Sequence, residues 1–153
     1  MKIVNYDGNL LDSTADIICH QCNCQGKMNS GVAKAIREQW PFVYYQYMQW
    51  YNRGKVKLGE IQVVGTGEGH MVANLFAQDH YGYDGKQYTS YEALQSCLNK
   101  LRDFCIEQKA ISIAFPWHMS CDRGGADWSV VSKMIEDTFA DTDLTIEIWK
   151  LNK

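Results

Sequence analysis

Two stretches of the chain bring glycines, imidazoles and backbone amides together where an anion could be held and a proton moved. The first, residues 19–40, reads CHQCNCQGKMNSGVAKAIREQW. It parses as a strand, a polar glycine-bearing loop and an amphipathic helix starting near Ser30 and Gly31. A helix N-terminus beside a strand end exposes free N–H groups and the positive end of the helix dipole, a ready anion site. The second stretch repeats the order: AISIAFP as strand, WHMSCDRGGA as loop, and a helix from Asp127. Two such loops point to a ligand that carries phosphates. His118 lies in the second loop and is the more accessible acid–base candidate. His20 lies on the strand, where a buried, hydrogen-bonded histidine is the simpler reading against a general base. Asp122 adds a carboxylate to the second loop. Arg123 beside it can offset its charge.

Those loops must be positioned by the elements that flank them. A strand at about 2–6 is followed by the turn Asp7-Gly8-Asn9, and a second strand, ADIICHQC, leads into the first loop. The next helix places Val32, Ile36 and Trp40 on one face. Pro41 ends it and can begin another, FVYYQYMQWYNRG, with Gly54 as its C-cap. The stripe Tyr44, Tyr47, Tyr51 on that helix is expected to pack rather than to stack on bases, because burial also produces helical spacing. EIQVVGTGEGHMVANLFAQ reads as two strands joined by a glycine-rich turn. Its G-x-G-x-G, at 65–69, is followed by a strand and not a helix, which makes it a hairpin loop and not a dinucleotide fingerprint. Thr89-Ser90-Tyr91-Glu92 can form a capping box that opens the longest helix. The nearly all-apolar AISIAF suits a central strand covered on both faces, and LTIEIWKL closes the chain. Strands alternating with helices give a three-layer α/β/α sandwich, and the hairpin makes its mostly parallel sheet mixed. In such sheets ligands sit outside the carboxyl ends of the strands.

With 153 residues the chain is expected to form a single domain over 1–153. A net charge of −3 leaves no global basic field for a nucleic-acid backbone, so nucleic acid is an unlikely partner. The sequence opens on an apparent strand without a leader, and no apolar run approaches the roughly 20 residues of a membrane span. A cytoplasmic protein with no membrane partner is the expectation. Of six cysteines, Cys19, Cys22 and Cys24 cluster, but strand alternation sends Cys19 to one face and the other two to the opposite one. No second pair completes a tetrahedral site, so reduced thiols are favoured over zinc, and no metal or cofactor is expected. Oligomeric state is not legible.

The motifs GNLLDSTADIICHQCNCQG-x-M-x-SGVAKAI, NLFAQ, TSYEAL and P-x-x-M-x-C-x-x-GGADW together resemble the macro domains, which bind ADP-ribose and process its derivatives. The resemblance covers nearly the whole chain. It is closest to the branch with ADP-ribose 1″-phosphate phosphatases and their phage and bacterial relatives. It implies that Asn9 and Leu10 sit at the adenine site, where Asn9 replaces the usual aspartate but keeps an acceptor oxygen. Asn23 matches the asparagine that contacts the distal ribose or positions the attacking water; its alternative is a local Asx turn. Gly26, Lys27, Met28, Asn29, Ser30, Gly31 and Val32 match the first phosphate loop, and Phe76 a pocket-lining aromatic. In the second phosphate loop Ser120, Cys121, Arg123, Gly124 and Gly125 are implied as ligand contacts. Two family glycines are replaced there, by Ser120, which can offer a hydroxyl, and by Asp122, which marks either a catalytic carboxylate or a shifted ligand preference. Some relatives use a lysine nucleophile at the end of the NLF-type strand. Ala77-Gln78 stands there in this chain, and the register argues against Lys86, so a lysyl adduct is not expected.

The function implied is binding of ADP-ribose and metal-free hydrolysis of a derivative, ADP-ribose 1″-phosphate or an ADP-ribosyl ester. In that reading Asn23 fixes water or ribose, and Asp122, His118 or His20 assists proton transfer. The alternatives are a non-catalytic ADP-ribose-binding module and a degenerate macro fold used for protein interaction.

Overall fold

β-branched and apolar residues crowd the second strand of the chain, and its position in the sheet explains why. A computed structural model describes residues 1–81, 86–121 and 124–151. Its strands are β1 (Lys2–Asp7), β2 (Ile17–Asn23), β3 (Ile61–Gly65), β4 (Met71–Gln78), β5 (Ser112–Pro116) and β6 (Thr145–Lys150). Its helices are α1 (Gly31–Gln39), α2 (Pro41–Asn52), α3 (Tyr91–Gln108) and α4 (Trp128–Phe139), with a 3-10 turn at Leu10–Asp12. The sheet order is β1-β6-β5-β2-β4-β3. Among these strands β3 and β4 pair antiparallel and the other neighbours pair parallel. This is the mixed, mostly parallel sheet expected from the alternating pattern.

Central strands are covered on both faces, and Ile17, Ile18 and Cys19 of β2 are fully buried. Ile17, Cys19, Leu75, Ile113 and Phe115 pack toward α3 and α4. Ile18, Val64, Val72 and Ala114 pack toward α1, α2 and the 3-10 turn. The alternation places Cys19 in the first cluster and Cys22 with α2, as the sequence indicated. All six cysteines are free. The helix α1 buries Ile36, and Trp40 and Pro41 form the corner with α2.

Two details shift from expectation. Ser90, not Thr89, caps α3, its hydroxyl accepting from Ala93 N–H at 3.1 Å. Thr89 is left in the segment before the helix, where its hydroxyl is free to bond elsewhere. Between β2 and β4 the register slips: Gln21 pairs with Leu75 but Asn23 with Gln78, so β4 carries one extra residue. Such bulges re-aim side chains at strand ends. This one brings Gln78 beside Gln21.

The pairing of β2 with β5 is short, Ile17 with Ile113 and Ile18 with Ala114. Beyond it the two strands part. The chain leaves β2 toward β4 and leaves β5 toward β6, so the strand order reverses between them, the place where open α/β sheets hold ligands. Among the described residues no helix is long and apolar enough to cross a membrane.

Candidate functional site

A cleft of about 930 Å3 opens at the carboxyl ends of β2 and β5. The loop from Asn23 to Gly31 forms one wall and the loop after Pro116 the other. Lys27, Asn29, Ser30, Gly31 and Val32 line the first wall, and His118, Ser120, Cys121, Gly124 and Gly125 the second. His20, Gln21, Asn23 and Gln78 also line the cleft, and Lys86 joins them. Both candidate loops therefore meet in one space.

The first wall ends in a helix start with unused donors. Ser30 is the N-cap of α1, but its hydroxyl makes no capping bond, and the first turn has no acidic residue. The first N–H groups of a helix have no intrahelical partner. Here Gly31, Val32 and Ala33 line the same cleft as Lys27. Among the described lining residues there is no carboxylate, and the formal charges are those of Lys27 and Lys86. Such a lining favours an anion.

The loop before α1 is shaped from behind. Asn23 Oδ1 accepts from Gln25 N–H at 2.9 Å, and its Nδ2 donates to the Lys27 carbonyl at 2.9 Å. Tyr47 of α2 donates its hydroxyl to the Asn23 carbonyl at 2.7 Å and accepts from Gly26 N–H at 3.1 Å. Burial pushes the Tyr47 hydroxyl well above the usual phenol range, so it stays protonated. Gly26 has φ +74°, and a Cβ there would collide with the Tyr51 ring. Its amide is spent on Tyr47, so Gly26 serves the loop's shape and not a phosphate. The Asx turn given as the alternative for Asn23 is present, and the residue lines the cleft as well.

Several residues implied as contacts lie elsewhere. Phe76 is fully buried against Tyr47 and Trp50 and does not line the cleft. The Met28 side chain is buried in the same cluster. Leu10 is buried beneath the 3-10 turn, and Asn9 caps that turn by accepting from Leu11 N–H at 3.0 Å. Neither Asn9 nor Leu10 lines the cleft among the described residues. An apolar side chain near a strand end reads alike whether it faces ligand or core, and only the packing of α2 decides. Asp122 and Arg123 lie outside the described residues.

His20 is a buried imidazole and not a proton carrier. Its Nε2 lies 2.5 Å from Asn74 Oδ1, and Asn74 Nδ2 donates to Gln62 Oε1 at 3.0 Å. That orientation of Asn74 makes His20 Nε2 the donor. Burial lowers its pKa to about 4, so it is neutral near pH 7. Cys22 beside it is buried and its thiol is pushed up, which removes a thiolate nucleophile from the cleft floor. His118 differs: it lines the cleft, with its ring stacked on Trp117 at 3.3 Å between centroids.

The second wall is held in uncommon backbone. His118 (φ 61°) and Ser120 (φ 73°) both occupy the left-handed region, which costs a non-glycine residue about 1 kcal/mol. Ser120 was expected to offer its hydroxyl to a ligand. That proton instead goes to Gln21 Oε1 at 2.5 Å. The adjacent glycines are needed for close packing: a Cβ on Gly124 would strike the Thr89 hydroxyl and the Ser120 carbonyl, and one on Gly125 the Lys86 carbonyl. The N–H groups of Tyr88 and Thr89 both donate to the Gly124 carbonyl, at 2.8 and 2.9 Å. This returning segment brings Lys86 to the cleft, while the strand itself ends at Gln78 as the register indicated. Gln21, Gln78, Thr89 and Tyr47 were not singled out as site residues by sequence; Gln78 at the end of NLFAQ was the one local signal.

The Macro domain family profile matches residues 19–135, and the chain belongs to that family. It is 24% identical over 145 residues to the DNA ADP-ribosyl glycohydrolase of Thermus aquaticus, covering 93% of this chain and 39% of that protein. It is 26% identical over 140 residues to the human ADP-ribose glycohydrolase OARD1, covering 92% of this chain and 82% of that one. The macrodomain of Mycobacterium tuberculosis DarG superposes with a TM-score of 0.87 at 24% identity, over 96% of each chain, which shows the shared fold. The chain spans about 39% of the length of the Thermus relative. Both curated relatives carry glycohydrolase names, so they support the family and not specifically its phosphatase branch.

Proposed function

We propose that this domain binds ADP-ribose in the cleft between β2 and β5 and hydrolyses the bond joining its distal ribose to an attached group. The observation that carries the proposal is the uncapped N-terminus of α1 beside Lys27, in a cleft whose described lining holds no carboxylate. The diphosphate lies against those N–H groups, with the distal ribose toward Asn23 and the second loop. Hydrolysis consumes one water and leaves ADP-ribose with a free anomeric hydroxyl. Asn23 orients ribose or water from its place on the cleft wall, and His118 is the lining imidazole suited to carry the proton between water and departing group. Oriented backbone dipoles supply charge stabilisation.

Lys27 and Lys86 on the walls favour an anionic departing group, which puts ADP-ribose 1″-phosphate ahead of an ester among substrates. A second reading, removal of ADP-ribose from DNA, is favoured by the similarity to the Thermus DNA ADP-ribosyl glycohydrolase together with the place of Lys86 in the cleft.

The test is release of free ADP-ribose from three substrates: ADP-ribose 1″-phosphate, an ADP-ribosyl glutamate ester in a protein, and an ADP-ribosylated oligonucleotide. Turnover of the first at the highest rate supports the leading reading. Turnover of the oligonucleotide alone moves the assignment to the second. Binding of ADP-ribose with no turnover of any of them would make the domain a reader and sink the hydrolase assignment.

A further inference from the structure

The cleft floor contains a side-chain amide that joins three segments distant in sequence. Gln21 Nε2 donates to Gln78 Oε1 and to Thr89 Oγ1, both at 2.8 Å. Gln21 Oε1 accepts from Ser120 Oγ at 2.5 Å. Thr89 in turn donates its hydroxyl to the Ser120 carbonyl at 3.0 Å. Gln78 Nε2 donates to the His80 carbonyl at 2.9 Å. Both protons of Gln21 Nε2 and both hydroxyl protons are donated within this set, and the partners fix the orientation of the Gln21 amide. Ser120 meanwhile sits at φ 73°, in a conformation that serine adopts only when its surroundings hold it.

From this geometry we infer that Gln21 is a positioning residue for the second ligand loop. It holds Ser120, through both the serine hydroxyl and Thr89, in the left-handed conformation that turns residues 118–121 along the cleft wall. Gln21 is tied up in the floor and acts on the ligand through that loop. Gly124 is part of the same device, because a Cβ there would enter the space shared by Gln21 Nε2, Thr89 Oγ1 and the Ser120 carbonyl. The inference rests on the ADP-ribose reading of the cleft.

The strain at Ser120 supplies a test that general loosening would not imitate. Glycine takes φ near +73° without help, so Ser120→Gly should make the clamp largely redundant. ADP-ribose affinity is measured by calorimetry, and thermal unfolding is followed in parallel, for the wild type, Gln21→Ala, Ser120→Gly and the double variant. Thr89→Val, which keeps volume and removes one hydroxyl, is the second probe should Gln21→Ala fold poorly. Gln21→Ala is expected to weaken affinity about tenfold in the wild-type background, the scale of a broken buried hydrogen-bond set. In the Ser120→Gly background the loss should shrink to about threefold or less, with Thr89→Val following the same pattern more weakly. Equal losses in the two backgrounds, or no loss in either, would overturn the positioning role. A wild type that does not bind ADP-ribose at all removes the underlying reading instead.

Discussion

The Tyr47 hydroxyl donates to the Asn23 carbonyl at 2.7 Å, joining the buried face of α2 to the rim of the cleft. The same oxygen receives the Gly26 amide. A core tyrosine thus sets the curvature of the loop that leads into α1. Tyr47→Phe keeps the ring and removes the staple. It should destabilise the fold by about 1–2 kcal/mol and weaken ADP-ribose binding, read by denaturant unfolding and calorimetry. Unchanged affinity would show that the loop holds its shape without Tyr47.

The uncapped start of α1 makes an unusual trade-off testable. Ser30→Asp supplies a capping carboxylate and should stabilise the protein by about 1 kcal/mol. The same carboxylate would occupy the site where the proposal puts the diphosphate, so affinity should fall by about tenfold or more. A rise in melting temperature with intact binding would place the phosphates elsewhere.

His20 imposes a pH dependence on stability. Its folded pKa of about 4 lies below the reference 6.5. Between those values the unfolded chain binds a proton that the folded one refuses, so stability falls as pH drops from 6.5 to 4. The loss is about 3 kcal/mol over that window, and it is complete below the folded value. His20→Asn should remove this component. Urea unfolding at pH 7 and pH 4 should therefore show the wild type losing its advantage over the variant on acidification. Parallel stability curves for the two proteins would contradict the buried neutral imidazole.

Gly124→Ala forces a Cβ into the Thr89 hydroxyl and the Ser120 carbonyl. Overpacking of this kind costs about 1–3 kcal/mol. The second loop should be displaced with it, so the variant should lose both melting temperature and ADP-ribose affinity. A variant as stable as the wild type would show that the segment around Thr89 gives way without cost.

Much of this architecture is legible in the residues. The alternation of β2 fixes opposite faces for Cys19 and Cys22, and the apolar run of β5 marks a strand covered on both sides. Pro41 marks the corner between α1 and α2. The loops of the cleft are legible because glycines and a helix start follow strands. What escapes is what tertiary packing decides. Phe76 and Met28 lie near the loops in sequence, but α2 covers both. The cap of α3 moves by one residue because the Thr89 hydroxyl is drawn to Ser120. The extra residue in β4 that brings Gln78 beside Gln21 has no local signature. Lys86 returns to the cleft through backbone bonds to Gly124 that no motif announces.

The most direct measurement is a calorimetric titration of the purified protein with ADP-ribose, with AMP and NAD as controls. ADP-ribose should bind selectively at micromolar concentration, and Ser30→Asp should weaken it. No heat with ADP-ribose, or equal affinity for all three nucleotides, would contradict an ADP-ribose site between β2 and β5.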